Sequence, residues 1–170
     1  MIVVADATPL RYLVLIDAVD VLPALYERIL IPAVVAEELQ RPRTPLAVRQ
    51  WMASPPPWLD IRYPSPTSER TLSRLGAGER DAIILAEALR ADLLVIDDWD
   101  GREAALQRGL TVLGTLAVLD AAAERRLIVL PDVLARLQAT NFRMPAAVVD
   151  MLLARDAERR RQDEPPAQPH

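Results

Sequence analysis

Four short apolar runs, each followed by a helix-forming stretch, constrain this chain more than any other feature. Ile2–Ala5, Arg28–Ile31, Leu93–Ile96 and Leu110–Leu113 are brief, evenly apolar and rich in branched residues, so they read as buried strands. Between them the apolar spacing becomes helical. A strand that is followed by a helix and then another strand packs most readily as a parallel pair with the helix across its face. The expected fold class is α/β: a three-layer α/β/α sandwich in which these four strands are all parallel.

The helical stretches can be placed by their start and stop signals. Thr8 and Pro9 suit a first turn, with Leu10, Leu13, Val14 and Asp17 following at helical spacing. Pro23 opens a brief second piece, and Pro32 starts a helix through Gln40. Prolines interrupt residues 41–66, leaving room for a helix over Pro45–Ala53, a stiff connection at Pro55–Pro57 and a short extended segment over Trp58–Tyr63. Further helices are expected over Glu69–Leu75, Glu79–Arg90, Gly101–Arg108, Thr115–Arg126, Pro131–Ala139 and Pro145–Arg160, with Gly109 as a left-handed stop. At 170 residues the chain is expected to be a single domain over 1–160, its core within about 1–130 and two helices added over 131–160. The polar, proline-rich residues 161–170 read as a disordered tail.

Absent residue types narrow the chemistry. There is no cysteine, and the one histidine is His170. Thiolate nucleophiles, a Ser-His-Asp triad and a Cys- or His-built metal site are therefore excluded within the domain. All 20 basic residues are arginine, which removes lysine-dependent phosphotransfer and Schiff-base chemistry. What remains is carboxylates, hydroxyls and arginines. Carboxylate oxygens are hard ligands suited to Mg²⁺ or Mn²⁺. The net charge of −4 gives no global basic field, so a nucleic-acid partner must be held by a local patch. No 18-residue apolar run or charged lead into an apolar stretch is present, so neither a membrane span nor a secretory signal is expected, and the expected location is cytoplasmic.

The remaining acids fall where such a sheet places its site, beyond the carboxyl ends of its strands. Asp6 ends the first run, and Asp97 and Asp98 end the third. Glu38 lies in the helix after the second run, and Glu79 and Asp81 in the first turn of the helix before Asp92. Each has a purely structural role open to it. Asp6 can cap a helix, Glu37 and Glu38 can face solvent, Glu79 and Asp81 can complement a helix dipole, and Asp97-Asp98-Trp99-Asp100 can be a polar turn. Taken together, acids that converge after buried strands would repel one another and raise their pKa values, and a divalent cation resolves that conflict.

Several segments resemble the PIN-domain family. Asp6 with Thr8-Pro9-Leu10 and Ile31-Pro32-Ala33-Val34-Val35-Ala36-Glu37-Glu38-Leu39 resemble its opening. Gly78-Glu79-Arg80-Asp81-Ala82-Ile83-Ile84-Leu85-Ala86 resembles its central helix, and Val95-Ile96-Asp97-Asp98-Trp99-Asp100-Gly101-Arg102 the following strand and acidic turn. Leu110-Thr111-Val112-Leu113-Gly114-Thr115 resembles the last strand and its exit. The resemblance covers about residues 1–145. It is greatest to a subgroup of predicted nucleic-acid-binding PIN-like proteins related to the VapC-type toxins of toxin–antitoxin pairs.

The resemblance implies a five-stranded parallel sheet and a Mg²⁺- or Mn²⁺-dependent endoribonuclease. It matches the family's acids to Asp6, to Glu38 in preference to Glu37, to Asp81 or Glu79, and to Asp97 or Asp98. Asp97 occupies a position where the family usually has a hydroxyl residue. Metal-assisted hydrolysis of RNA is the implied chemistry, with one or two ions activating water and stabilising the phosphate. Arg11, Arg80 and Arg102, with Arg43 and Arg74, are the candidate phosphate contacts, although solvated helix faces account for each of them singly. An antitoxin protein and a homodimer are the implied partners, with Leu134, Leu137 and the stripe Val148, Val149, Leu152 and Leu153 offered as a self-association surface. Two other functions remain open. One is a catalytically silent PIN-like interaction module. The other is an aspartate-based phosphotransfer enzyme, disfavoured by the absence of lysine.

Overall fold

A computed structural model of the protein describes residues 1–65 and 70–165. Its sheet has five strands: β1 (Val3–Ala5), β2 (Ile29–Pro32), β3 (Leu59–Arg62), β4 (Leu93–Val95) and β5 (Val112–Leu113). Their order is β3-β2-β1-β4-β5, and every pairing is parallel. The four expected strands are all present. The fifth is the extended segment expected over Trp58–Tyr63, which pairs with β2 in the register Ile29 to Leu59 and Pro32 to Arg62. Leu110 and Thr111 were expected in the last strand but lie outside it.

The helices are α1 (Ala7–Leu15), α2 (Val21–Tyr26), α3 (Ala33–Glu38), α4 (Leu46–Ala53), α5 (Ala77–Ala88), α6 (Trp99–Gln107), α7 (Thr115–Glu124), α8 (Leu130–Gln138) and α9 (Ala146–Asp163). The period-two alternation of the strands divides them into two layers. Val4, Leu30, Leu94 and Ile96 face α5 and α6, meeting Ala82, Ile83, Leu85, Ala86 and Ala105. Val3, Ala5, Ile29, Ile31, Leu93 and Val95 face the other layer, which holds α1–α4, α7 and α8. Because both faces are covered, β1, β2, β4 and β5 are apolar at every position and stand out in the sequence, whereas the edge strand β3 carries Asp60 and Arg62.

Three expectations need correction. The helix expected over Glu69–Leu75 is a single 3-10 turn at Arg70–Leu72, and Glu69 lies outside the described residues. The tail expected to be disordered from residue 161 is helical as far as Asp163, and residues 166–170 lie outside the described residues. The surface offered for self-association is covered in part by the chain itself. Leu134, Leu137 and Leu152 are buried in the core of the same chain, and Val148, Val149 and Leu153 pack half-buried against it. The reason is that α7 leaves an apolar face which α8 and α9 close. Gly109, expected as a left-handed stop, has φ 75°.

Candidate active site

Parallel strands direct all their carboxyl ends toward one edge, so residues just beyond β1 and β4 meet there. Asp6 is held in place by the sheet itself: its amide donates to the Val95 carbonyl at 2.9 Å, extending the β1–β4 ladder one residue past β1. The Asp6 side chain is 1% exposed. It makes no capping hydrogen bond to α1, and its Oδ1 has no hydrogen-bond partner. The helix-cap role open to Asp6 is therefore not the one it fills. Its pKa is raised from 3.8 to about 7, first by burial and next by the charge of Glu79, with Glu38 and Asp97 adding and the Ala7 amide opposing.

Glu38, at the end of α3, is half-buried, whereas Glu37 is exposed. Burial raises the Glu38 pKa most, followed by the charge of Glu79; Arg41 and the Gly78 amide work against them. The start of α5 packs closely on both carboxylates. A Cβ added to Gly78 would lie 2.9 Å from Glu38 Oε1 and 3.1 Å from Asp6 Oδ1. Only a glycine leaves the two acids that space, so Gly78 is a site residue although it carries no functional group.

Asp97 leaves the end of β4, where Ile96 continues the ladder by donating to the Leu113 carbonyl at 2.8 Å. Both Asp97 oxygens are engaged by the first residue of α7. The Thr115 amide donates to Oδ1 at 2.7 Å and the Thr115 hydroxyl to Oδ2 at 2.6 Å. Burial raises the Asp97 pKa, while these two bonds and Arg102 lower it. Asp98 is exposed and caps α6 by accepting from the Gly101 amide at 2.9 Å.

The site thus joins Asp6, Glu38, Glu79 and Asp97 in one electrostatic group. Glu79, expected at the rim, exerts the strongest neighbouring charge on both Asp6 and Glu38. Asp81 reaches the group only through Glu38 and stands 3.7 Å from the Arg80 guanidinium. Asp98 lines the same cleft but is committed to its cap. Among the described residues no three acids stand close enough together to hold one ion between them. Two of the turnings responsible are visible. Asp97 is turned to Thr115, and the Glu79 carboxylate folds back against Gly76.

Sequence reasoning missed Thr115 as a site residue. Its signal was a hydroxyl immediately after the last strand, at the same sheet edge as the acids. The candidate arginines separate. Arg102 lines the cleft and lies beside Asp97, both of them 2.9 Å from where a Gly114 Cβ would be. Arg11 instead lies on α1 with its guanidinium 5.7 Å from the Tyr12 ring centre. Arg43 and Arg74 are exposed on loops. Beside the acids runs a cleft of about 820 Å³, formed by α1, α6, α7, the segment after α8, and α9.

The donor chemistry fits a hard divalent ion. Asp6 Oδ1 is buried without a hydrogen-bond partner in a group of four acids, and Mg²⁺ is commonly bound by one or two carboxylates while keeping its waters. No helix of the described residues is long and apolar enough to cross a membrane.

A family model described as DUF3368: PIN domain matches residues 2–158. No curated protein matches the chain. Among solved structures, a PilT N-terminus domain protein from the hyperthermophilic archaeon Sulfolobus solfataricus P2 aligns with a TM-score of 0.49 and 15% identity, over 85% of this chain and 100% of its own.

Proposed function

This chain belongs to the PIN-domain family, and on that premise we propose that it is a Mg²⁺- or Mn²⁺-dependent endoribonuclease. PIN domains are generally nucleases and typically use divalent metals. The observation that carries the proposal is the buried Asp6 Oδ1, left without a hydrogen bond among three other acids. A fold does not retain such an oxygen for stability, because an unpaired buried polar group costs about 1–3 kcal/mol and more when charged.

Asp6 and Glu38 are the proposed ligands, since an oxygen of each carboxylate packs against the same face of Gly78 and the two acids are thereby neighbours. Glu79 adds negative charge beside both, Asp97 beside Asp6 and Asp81 beside Glu38. A bound ion would supply an activated water and neutralise charge on the phosphate. Thr115 fixes the orientation of Asp97, and Arg102 beside it is the proposed phosphate contact within the cleft. Without a cation, the acids repel the one phosphate beside them and leave the rest of the cleft able to hold the strand. Water adds to phosphorus and the phosphorus–oxygen ester bond breaks, with no protein group becoming covalently attached.

One observation favours a second reading, the silent interaction module: Asp97 spends both oxygens on Thr115, and no three described acids gather about a point. A cleavage assay separates the two. The full chain is incubated with single-stranded RNA in Mn²⁺, in EDTA, and as Asp6→Asn. Cleavage in Mn²⁺ by the wild-type chain alone supports the nuclease, and no cleavage in Mn²⁺ leaves the silent module. The toxin role follows the same logic. Expression of the wild-type chain is expected to arrest growth and Asp6→Asn is not, with a cognate antitoxin protein relieving the arrest.

A further inference from the structure

The acids occupy one part of the cleft of about 820 Å³, and the remainder has a different character. Trp99, at the start of α6, lines it and is 77% exposed. The other two tryptophans are half-buried and packed on each other with ring centres 5.9 Å apart. A tryptophan left in water beside a catalytic group offers a large flat apolar face at little conformational cost.

The segment between α8 and α9 brings Asn141, Phe142 and Arg143 to the same cleft. Tyr12 fixes that segment. Its hydroxyl donates to Asn141 Oδ1 at 2.6 Å, and its ring meets Phe142 edge-on with centres 5.0 Å apart. Arg143, adjoining these anchors, is exposed and makes no ion pair among the described residues. Of the cleft's other arginines, Arg102 lies beside Asp97, where it is already assigned the phosphate next to the acids, and Arg155 is bonded to Asp120 at 2.8 Å.

The geometry points to a stacking subsite for an unpaired nucleotide: Trp99 takes the face of a nucleobase next to the scissile phosphate, and Arg143 takes a backbone phosphate of the same strand. The inference rests on the nuclease reading and deepens it by saying which strand feature is gripped beside the acids. Within a duplex a base has both faces covered by its neighbours, so Trp99 selects single strands. Stacking on an aromatic side chain is tolerant of sequence because every base has a π-face. A cleft that runs from acids to an exposed aromatic and a free cation suits a strand carrying alternating bases and phosphates better than a protein segment.

The test is binding, which separates it from cleavage. A fluorescent single-stranded RNA hexamer and an abasic ribose-phosphate hexamer are titrated with the full chain in EDTA at low salt. The wild-type chain is expected to bind the RNA more tightly than the abasic strand. Trp99→Ala should weaken RNA binding about tenfold and leave abasic binding unchanged, with Trp99→Phe restoring most of the loss. Arg143→Ala should weaken both strands alike. Trp99→Ala variants that bind RNA like wild type, or that lose RNA and abasic binding equally, would overturn the subsite and leave Trp99 to a protein partner. Failure of Mn²⁺-dependent cleavage with the stacking pattern intact would sink the nuclease reading instead.

Discussion

Asp6 keeps a carboxyl group where the fold gives it almost no solvent, and that sets the sign of its effect on stability. Unfolded, the group titrates near 3.8; folded, it titrates at about 7. Between these values the folded chain holds a proton that the unfolded chain has released. The contribution of Asp6 to stability is therefore greatest at low pH and falls as pH rises through this window, by on the order of 4 kcal/mol, levelling off above 7. In EDTA at pH 8, Asp6→Asn should melt at a higher temperature than wild type, and near pH 4 the two should melt together. A wild-type chain that melts higher at pH 8 would show that Asp6 finds a partner within the fold. Gly78→Ala tests the neighbouring position. Alanine is the better helix former by about 1 kcal/mol, yet its Cβ would press on both carboxylates. Loss of Mn²⁺-dependent cleavage with little change in melting temperature is expected. Asp6 and Glu38 were legible because an acid directly after a buried strand, or in the helix leaving one, has few solvated places to go. Gly78 was not, because its contribution is the space it leaves.

At the scale of elements, the tie between β4 and α7 is what holds Asp97. Thr115→Val removes the hydroxyl bond and keeps the amide bond, leaving one oxygen of a largely buried carboxylate unpaired. A loss of about 1–3 kcal/mol in denaturant unfolding is expected, together with weaker cleavage. The choice between Asp97 and Asp98 could not be read from sequence, because the two are adjacent and differ only in which helix they serve. Asp98 serves α6 as its cap and Asp97 reaches Thr115 across the sheet, a contact 18 residues distant. The apolar stripe of α9 was legible as apolar, but not which of its residues the same chain buries: Leu152 is buried, and Val148, Val149 and Leu153 are half-buried. An amphipathic pattern says that a face is covered but not by which chain. Leu152→Ala should accordingly cost about 2–4 kcal/mol of folding stability, as a core truncation does. An unchanged unfolding midpoint would mean that α9 is dispensable to the fold.

For the whole molecule, the topology was legible because strands buried on both faces leave uninterrupted apolar runs, and only parallel packing uses them. The edge strand β3 was weaker in the sequence. Prolines crowd its approach, and its pattern is half-buried because one side has no neighbouring strand. The parallel order brings acids from just beyond β1 and β4 and from α3 and α5 to one edge, and the proposed metal-dependent nuclease depends on that gathering. Its most direct test is a calorimetric titration of Mn²⁺ into metal-free wild-type chain and Asp6→Asn at pH 8, with RNA cleavage followed in the same samples. The account expects saturable Mn²⁺ binding and cleavage by wild type, and loss of both in Asp6→Asn with the fold retained. Equal Mn²⁺ binding by the two chains, or none by either, would contradict it.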